Sequence, residues 1–370
     1  MANFFSKLFS QKSASVIGVD VGSSSIKIVQ LSRKGGQAVL ETYGELALGP
    51  YGGVEVGRST NLPPEKISAA LLDVIRESKT TATSAGLAIP FGSSLITAME
   101  MPASQQKQFG QMIPLEARKY IPVPISEVSL DWWVIPKSTD KPADFADEAK
   151  KAEINEKVEV LLVAIHNETL SRFQTIVNGA SLSTSFFEIE IFSTLRSVAN
   201  SDLTSQMIID LGAASTKIYI VEQGIIRASH IVNRGAQDIT LALSQSLGVS
   251  VQNAEVIKRD MSQVPVDKKT DAANVISVTL DSVFAEAHSV MLSYQRKYNK
   301  DVPKAIIVGG GAMLKGVLTY AEARLQTKVE IGDPFGKTEA PAFLSDVLKT
   351  TGPEFAVAVG VALRKLSEMK

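Results

Sequence analysis

Two segments of the chain, residues 17–29 and 207–219, share one arrangement of residues that could bind a phosphate. Each consists of an apolar run, an Asp, a Gly, a cluster of small residues, a Lys and a second apolar run. The Asp, Gly, Ser and Lys positions of the two copies are offset by 190 residues. Apolar runs on both sides of a small-residue turn predict a β-hairpin in each copy. The repeat therefore predicts a two-lobed protein with two related halves.

The two predicted turns have the chemistry of a phosphate clamp. Small residues let main-chain N–H groups approach a phosphate closely, serine hydroxyls add donors, and a lysine adds a point charge. Asp20 and Asp210 end their strands beside the turns, where paired carboxylates can hold Mg²⁺ through its waters. Either turn alone is compatible with an ordinary hairpin, but two matching copies favour a nucleotide site. The predicted binding residues are Gly22, Ser23, Ser24, Ser25 and Lys27 in the first turn, and Gly212, Ala213, Ser215, Thr216 and Lys217 in the second.

A third glycine-rich segment follows a predicted buried strand at 305–308 and opens a predicted helix that runs to about Thr327. This position presents backbone amides on which a nucleotide can lie. Leu314 stands where a dinucleotide fingerprint needs its third small residue, and the Walker A spacing is absent. The predicted binding residues here are Gly309, Gly310, Gly311, Ala312 and Met313.

Strand and helix patterns alternate along the rest of the chain. Periodicity and Pro or Gly boundaries predict strands at 41–48, 86–90, 128–136 and 158–165, and helices at 64–78, 104–120, 167–179, 187–199 and 353–367. Residues 235–300 are rich in helical patterns, and the polar residues 138–157 predict a loop or hairpin tip.

Composition excludes several functional classes. A length of 370 residues suits two or more domains, and 38 Lys and Arg against 39 Asp and Glu argue against a nucleic-acid-binding protein. The absence of cysteine excludes disulfides, Cys-ligated zinc, iron–sulfur clusters and a thiol nucleophile, and three histidines leave little for a His-based metal site. No run reaches the roughly 18–20 apolar residues that a membrane span needs.

Residues 1–15 predict a short N-terminal arm. Apolar residues at helical spacing alternate with lysines there, which is typical of a segment that contacts a membrane or a partner. A terminus that packs on its own domain is the alternative. The residues concerned are Phe4, Phe5, Lys7, Leu8, Phe9 and Lys12.

The three motifs together resemble those of the actin–Hsp70–sugar kinase superfamily: a first phosphate loop (20–27), a second (210–217) and an adenosine motif (306–316). The resemblance implies an α/β, two-lobed actin-like fold with two RNase H-like domains and ATP or ADP with Mg²⁺ in the cleft. It also implies a connecting helix, here residues 187–199. Glu188 or Glu190 would then stand where the superfamily positions or activates water, although carboxylates are also common near any helix start.

Within the superfamily, the chain is similar to the PilM family of type IV pilus assembly. The first turn, the segments 116–122 and 131–133, and the ending 355–364 carry this resemblance. Residues 254–258 match the family's Ala-Glu-x-x-Lys helix, so Glu255 and Lys258 would approach the adenosine. Two positions depart from the family pattern: Arg234-Gly235-Ala236 replaces paired glycines, and Glu188 replaces a common Asp.

The PilM-like division is expected as follows: arm 1–15, subdomain 1A at 16–84 and 181–200, subdomain 1C at 85–180, subdomain 2A at 201–234 and 303–370, and subdomain 2B at 235–302. The resemblance implies a cytoplasmic scaffold, peripheral at the inner membrane through other pilus assembly proteins. It would bind the N-terminal cytoplasmic peptide of PilN in a groove between 1A and 1C. It implies at most a slow ATPase, and self-assembly stays open.

Two alternatives come from the same superfamily. A cell-division protein similar to FtsA would be expected to end in a linker and an amphipathic helix, whereas this sequence stops just after its last predicted core helix. A sugar or acetate kinase would need a catalytic carboxylate, for which Glu188 and Glu190 are candidates, but subdomain 1C is not the kinase pattern.

Overall fold

The computed structural model describes residues 15–135, 157–199 and 204–369. The predicted N-terminal arm and the predicted polar loop therefore lie outside the described residues, apart from Ser15 and Lys157.

The chain divides into two compact units, residues 1–90 with 174–370 and residues 91–173. The strands are β1 Ser15–Val21, β2 Ser25–Lys34, β3 Gln37–Ala47, β4 Ser84–Ile89, β5 Ser94–Pro102, β6 Val128–Val134, β7 Lys157–His166, β8 Ser183–Ile189, β9 Gln206–Leu211, β10 Thr216–Glu222, β11 Ile225–Val232, β12 Lys304–Val308 and β13 Lys328–Ile331. The α-helices are α1 Pro64–Glu77, α2 Phe109–Ala117, α3 Asn167–Gly179, α4 Glu190–Val198, α5 Ala236–Leu247, α6 Val251–Arg259, α7 Lys269–Tyr298, α8 Val317–Leu325, α9 Ser345–Thr351 and α10 Ala356–Glu368.

The large unit contains two five-stranded sheets of the same topology, with the orders β3-β2-β1-β4-β8 and β11-β10-β9-β12-β13. In each sheet three antiparallel strands are followed by two parallel ones. Asp20 pairs with Lys27 in the first hairpin, and Asp210 pairs with Lys217 in the second. The predicted hairpins and the two related halves are confirmed, because the same register recurs in both.

Close backbone packing joins α10 to the first sheet. A Cβ added at Gly18 of β1 would lie 2.0 Å from the Ala358 carbonyl oxygen, and one at Gly360 would lie 1.8 Å from the Ser193 carbonyl oxygen of α4. Only glycine permits two such close approaches. The C-terminal helix is thereby held against the strand that leads into the first turn.

Helix α7 covers the second sheet. Together with the 3₁₀ turn Val266–Lys268 before it, α7 is long and apolar enough to cross a membrane by length and composition. Asp281 and Glu286 interrupt its apolar run. Leu280, Val283 and other residues of this helix are buried in the core that it shares with β9, β10 and β12. The apolar residues of α7 that lie in this core therefore pack against the second sheet.

The small unit, residues 91–173, has a sheet of order β5-β7-β6. Its core is formed by β5, β6, β7 and α2, with Ile113 and Leu162 fully buried. The predicted helix 104–120 is a 3₁₀ helix at Ala103–Gln108 followed by the shorter α2, since its polar first part has no apolar face to bury. Strand β4, which the predicted division places in subdomain 1C, pairs with β1 and β8 in the large unit. The subdomain division as a whole stays a prediction.

The prediction of a helix at 187–199 is wrong at its start. Phe187 and Ile189 belong to β8, where they pair with Leu87 and Ile89 of β4, and α4 begins only at Glu190. Pairing with a neighbouring parallel strand outweighs the local helical pattern here. Consequently Glu188 lies on a strand and Glu190 at the first position of a helix.

The glycine-rich segment also differs from its prediction. Residues Gly310–Met313 form a 3₁₀ helix, and α8 begins only at Val317, after Gly316 in a left-handed conformation. The last predicted helix likewise begins as a 3₁₀ turn, Gly352–Phe355, before α10.

Candidate functional site

A cavity of about 540 Å³ lies in the large unit and is lined from both of its halves. The first turn, the second turn, the end of β12 and helix α6 all reach it. The predicted residues that line it are Asp20, Gly22, Ser23, Ser24, Ser25, Lys27, Glu190, Asp210, Gly212, Ala213, Ser215, Lys217, Glu255, Lys258, Gly309, Gly310 and Met313. The structure thus brings together three motifs that are far apart in sequence.

The first turn is tight, because the Gly22 N–H donates to the Ser25 carbonyl over 3.0 Å. The Lys27 Nζ donates to Ser25 Oγ over 2.7 Å and forms an ion pair of 3.1 Å with Glu45 on β3. Burial alone would lower the pKa of Lys27, but the carboxylates of Glu45 and Asp20 hold it above its usual value. The lysine therefore stays charged while it faces the cavity.

The second turn holds its lysine with two carboxylates. The Lys217 Nζ lies 3.2 Å from Glu190 Oε2 and 3.4 Å from Asp210 Oδ2. Burial would lower the pKa of Lys217, yet these two carboxylates and that of Asp20 raise it well above its usual value. A Cβ on Gly212 would lie 2.8 Å from the Ser215 carbonyl oxygen, so the turn requires a glycine there.

Asp20 has the most strongly perturbed carboxyl group at the site. Burial raises its pKa to about 7, and the nearby Glu190 and Asp210 add to the rise while Lys27 and Lys217 oppose it. A further positive charge nearby would stabilise the ionised form of this carboxyl group. In the described part of the chain, no cluster of three or more His, Cys, Asp or Glu is placed to hold a metal by itself.

Gly309 connects the glycine-rich segment to the second turn. Its φ is +83°, and a Cβ there would lie 2.5 Å from Asp210 Oδ1. Its N–H donates to the Pro353 carbonyl over 2.9 Å. Any side chain at this position would displace the Asp210 carboxylate, so the glycine keeps that carboxylate in place.

Helix α6 brings a small buried network to the cavity. Glu255 Oε2 accepts hydrogen bonds from Lys258 Nζ over 2.6 Å and from Thr240 Oγ1 over 2.7 Å, and Arg259 Nε donates to Glu255 Oε1 over 3.0 Å. Although burial would raise the pKa of Glu255, Lys258 keeps it below its usual value. This wall of the cavity therefore has fixed polar groups.

Four predicted site residues do not line the cavity: Glu188, Thr216, Gly311 and Ala312. Glu188 is buried beneath Arg196, at 2.7 Å, and Arg364, at 2.9 Å. The Thr216 hydroxyl donates to the Arg234 carbonyl, and a Cβ on Gly311 would collide with Leu211. Of the two carboxylates proposed to act on water, the structure brings only Glu190 to the cavity.

Several cavity residues were missed from the sequence, among them Glu45, Gln237, Arg259 and Glu354. Glu45 pairs with Lys27 across β2 and β3, so a correct strand register could have found it. Arg259 directly follows the 254–258 motif and could have been included with it, whereas no predicted site motif includes Gln237 or Glu354. Burial, and then the neighbouring Glu45, raise the pKa of Glu354.

Known proteins similar to this chain share its fold. The structure of a PilM-PilN type IV pilus biogenesis complex matches with a TM-score of 0.78 and 22% identity, covering 95% of this chain and 98% of that one. MreB 5 of Spiroplasma citri bound to AMPPNP matches with a TM-score of 0.54 and 11% identity, covering 96% and 98%. At these identities the likeness shows an actin-like fold, as the sequence predicted.

Two curated relatives are cell division proteins FtsA. That of Neisseria meningitidis is 28% identical over 42% of this chain and 41% of its own length, and that of Bacillus subtilis is 22% identical over 60% and 55%. The chain thus spans about half the length of these relatives. The model of the type IV pilus assembly protein PilM family, in contrast, matches residues 18–366, nearly the whole chain. This chain belongs to the PilM family of type IV pilus assembly proteins.

Proposed function

We propose that the protein is a nucleotide-dependent scaffold of type IV pilus assembly that binds ATP or ADP in the cavity described above. One observation carries the proposal: two turns of identical register place glycines, serines, lysines and aspartates at one cavity. The third wall comes from Gly309, Gly310 and helix α6. The actin-like neighbour solved with AMPPNP supports the choice of ligand.

Asp20 and Asp210 fit the role of holding Mg²⁺. Burial raises the pKa of Asp20 to about 7 although Lys27 and Lys217 oppose the rise, so a divalent cation beside it would favour the charged carboxylate. Two aspartates are too few to form a complete cation site, so the remaining ligands would be phosphate oxygens and water. Bound Mg²⁺ would neutralise phosphate charge.

Glu190 is the remaining candidate for acting on water, and its contacts favour slow hydrolysis. Its carboxylate is paired with Lys217 at 3.2 Å and lies beside Asp210 in the same cluster. A carboxylate held by a lysine would have to give up that ion pair to orient a water molecule. At most a slow ATPase is therefore expected, and a sugar or acetate kinase is disfavoured.

The proposed partner is the N-terminal cytoplasmic peptide of PilN. A solved relative is named as a PilM-PilN complex, and the family match covers nearly the whole chain. We place the protein in the cytoplasm, at the inner membrane through such partners. Nucleotide would favour the peptide-binding state by stabilising one arrangement of the two halves of the large unit.

Calorimetry with ATP, with and without Mg²⁺, and fluorescence anisotropy with a PilN tail peptide test these proposals. We expect Mg²⁺-dependent ATP binding, and tighter peptide binding by the ATP-loaded protein. Absence of ATP binding would refute the nucleotide site. ATP binding without peptide binding would refute the partner alone, and turnover of tens per second with a sugar or acid would favour the kinase alternative.

A further inference from the structure

The loop between β3 and α1 is attached to the first turn. The Thr60 N–H donates to the Ser23 carbonyl over 2.8 Å, and the Leu48 N–H donates to the Ser24 carbonyl over 2.8 Å. Both serines line the cavity. A shift of the first turn would therefore shift the loop.

The same loop is attached to the second half of the large unit. The Ser59 N–H and hydroxyl both donate to Gln237 Oε1, the hydroxyl over 2.7 Å. Gln237 lies in the first turn of α5, and its own N–H donates to the carbonyl of Ala213, in the second turn, over 2.9 Å. A continuous path of hydrogen bonds and short chain segments thus joins the two phosphate-facing turns through the loop.

The loop also forms part of the cavity wall. Val56 and Gly57 line the cavity beside Gln237 and Glu255. Gly57 has φ +90°, and a Cβ there would lie 3.3 Å from Glu255 Cγ. Val56 is 47% exposed, so the hydrogen bonds of Ser59 and Thr60 hold the loop more than burial does.

We infer that Ser59 and Gln237 are positioning residues that hold the loop of residues 53–61 across the cavity and control the release of bound nucleotide. The inference rests on the proposed nucleotide binding. A nucleotide whose phosphates contact both turns keeps both ends of the path in place, and the closed path in turn retains the nucleotide. Neither residue belongs to the motifs that predicted the site.

Release of mant-ADP, followed by stopped-flow fluorescence, tests this role in wild type, Ser59→Ala, Gln237→Ala and the double variant. Gln237→Ala should speed release about tenfold, because it removes the acceptor of two hydrogen bonds. Ser59→Ala should speed it about threefold, since its N–H remains. The double variant should match Gln237→Ala. Wild-type release from Ser59→Ala with fast release from Gln237→Ala would show that Gln237 acts by touching the nucleotide, which would overturn the inference.

Two glycines of the loop offer a matched control. Gly53 has φ +71° with nothing within 4 Å of an added Cβ, whereas Gly57 at φ +90° faces Glu255. Alanine at either position strains the backbone. Only Gly57→Ala should also speed release of mant-ADP, and equal release rates from the two variants would count against the loop's role.

The absence of native cysteine permits a direct test by cross-linking. In the Ser59→Cys, Gln237→Cys double variant, a short bifunctional thiol reagent would join the loop to α5. Protein cross-linked after loading should retain mant-ADP, and protein cross-linked before loading should exclude it. Exchange at the rate of the untreated variant would refute the positioning role. If wild type bound no mant-ADP at all, the proposed nucleotide site would fail and this inference with it.

Discussion

The first turn, residues 20–27, and the second turn, residues 210–217, have the same strand register, but they hold their lysines with different partners. Lys27 is bound by the Ser25 hydroxyl and by Glu45 from the neighbouring strand. Lys217 is bound by Asp210 of its own hairpin and by Glu190 of α4. A repeated sequence has therefore produced two turns of the same shape and different electrostatics.

This difference predicts separate roles for the two turns. Glu190 joins the second turn to the helix that follows the first sheet, so the second turn has an ion-pair cluster spanning both halves. At the first turn, burial raises the pKa of the Asp20 carboxyl group, and the nearby Glu190 and Asp210 add to the rise. We therefore expect substitutions in the first turn to weaken cation binding more, and substitutions in the second turn to lower the free energy of unfolding more.

The largest predicted effect is on folding stability. Lys217→Met would leave the buried carboxylates of Asp210 and Glu190 side by side without their cation, at a cost of about 3–5 kcal/mol. Lys27→Met should cost less, about 1 kcal/mol, because Glu45 is partly exposed to water. Urea unfolding without nucleotide measures both. Adding Glu190→Gln to Lys217→Met should recover part of the loss, and equal losses from the two lysine variants would remove the distinction between the turns.

The next effect is on nucleotide affinity. Asp20→Ala should weaken Mg²⁺-dependent binding of ATP by about 100-fold, the loss expected for a charged contact of about 2.7 kcal/mol. Asp210→Ala should weaken it less, about tenfold, because Asp210 already shares its charge with Lys217. Calorimetry with Mg²⁺ and then with EDTA is the measurement. An effect of Asp20→Ala that persists in EDTA would argue against a role in holding the cation.

A pH series of the free energy of unfolding tests the role of Glu188, which lies outside the cavity. Burial would raise the pKa of Glu188, but the Arg196 guanidinium, Ser193 and Arg364 hold it below its usual 4.5. Its contribution to stability is therefore present above about pH 4.5 and is lost as the pH falls through the lowered pKa. Glu188→Gln should lose about 1–3 kcal/mol at pH 7, and the gap to wild type should close in acid.

Nucleotide affinity supplies the control for that series. Glu188→Gln should bind ATP as wild type does, since the residue does not line the cavity. A strong loss of ATP affinity in Glu188→Gln would show that Glu188 belongs to the site after all.

The smallest effect concerns the serines. Ser25→Ala removes the hydroxyl that accepts from Lys27 Nζ and should cost about 0.5–1.5 kcal/mol of ATP affinity. Ser215→Ala, at the equivalent position, should cost less, because Lys217 is held by carboxylates instead. Titration of both variants with mant-ATP compares them, and a larger loss for Ser215→Ala would reverse the assignment.

Much of this site could be predicted because its motifs are local. An Asp before a small-residue turn and a Lys after it are placed by the hairpin itself, so the pairs Asp20 with Lys27 and Asp210 with Lys217 follow from sequence spacing. The prediction that a helix begins at residue 187 was wrong for the opposite reason. The first residues of that predicted helix satisfy their backbone hydrogen bonds on β4, a strand about 100 residues earlier, and no local pattern shows that.

The sequence by itself determined the repeat, the hairpins, the glycines of the turns and the membership of the chain in an actin-like family. These depend on residue type and on spacings of a few residues, which short-range backbone geometry translates directly into structure. Only the tertiary structure decided that Glu190 reaches Lys217, that Glu190 and not Glu188 faces the cavity, and that Gln237 meets Ser59. Those contacts join residues that are far apart in the chain or lie on elements whose bounds tertiary pairing sets, so they depend on how the sheets and helices pack.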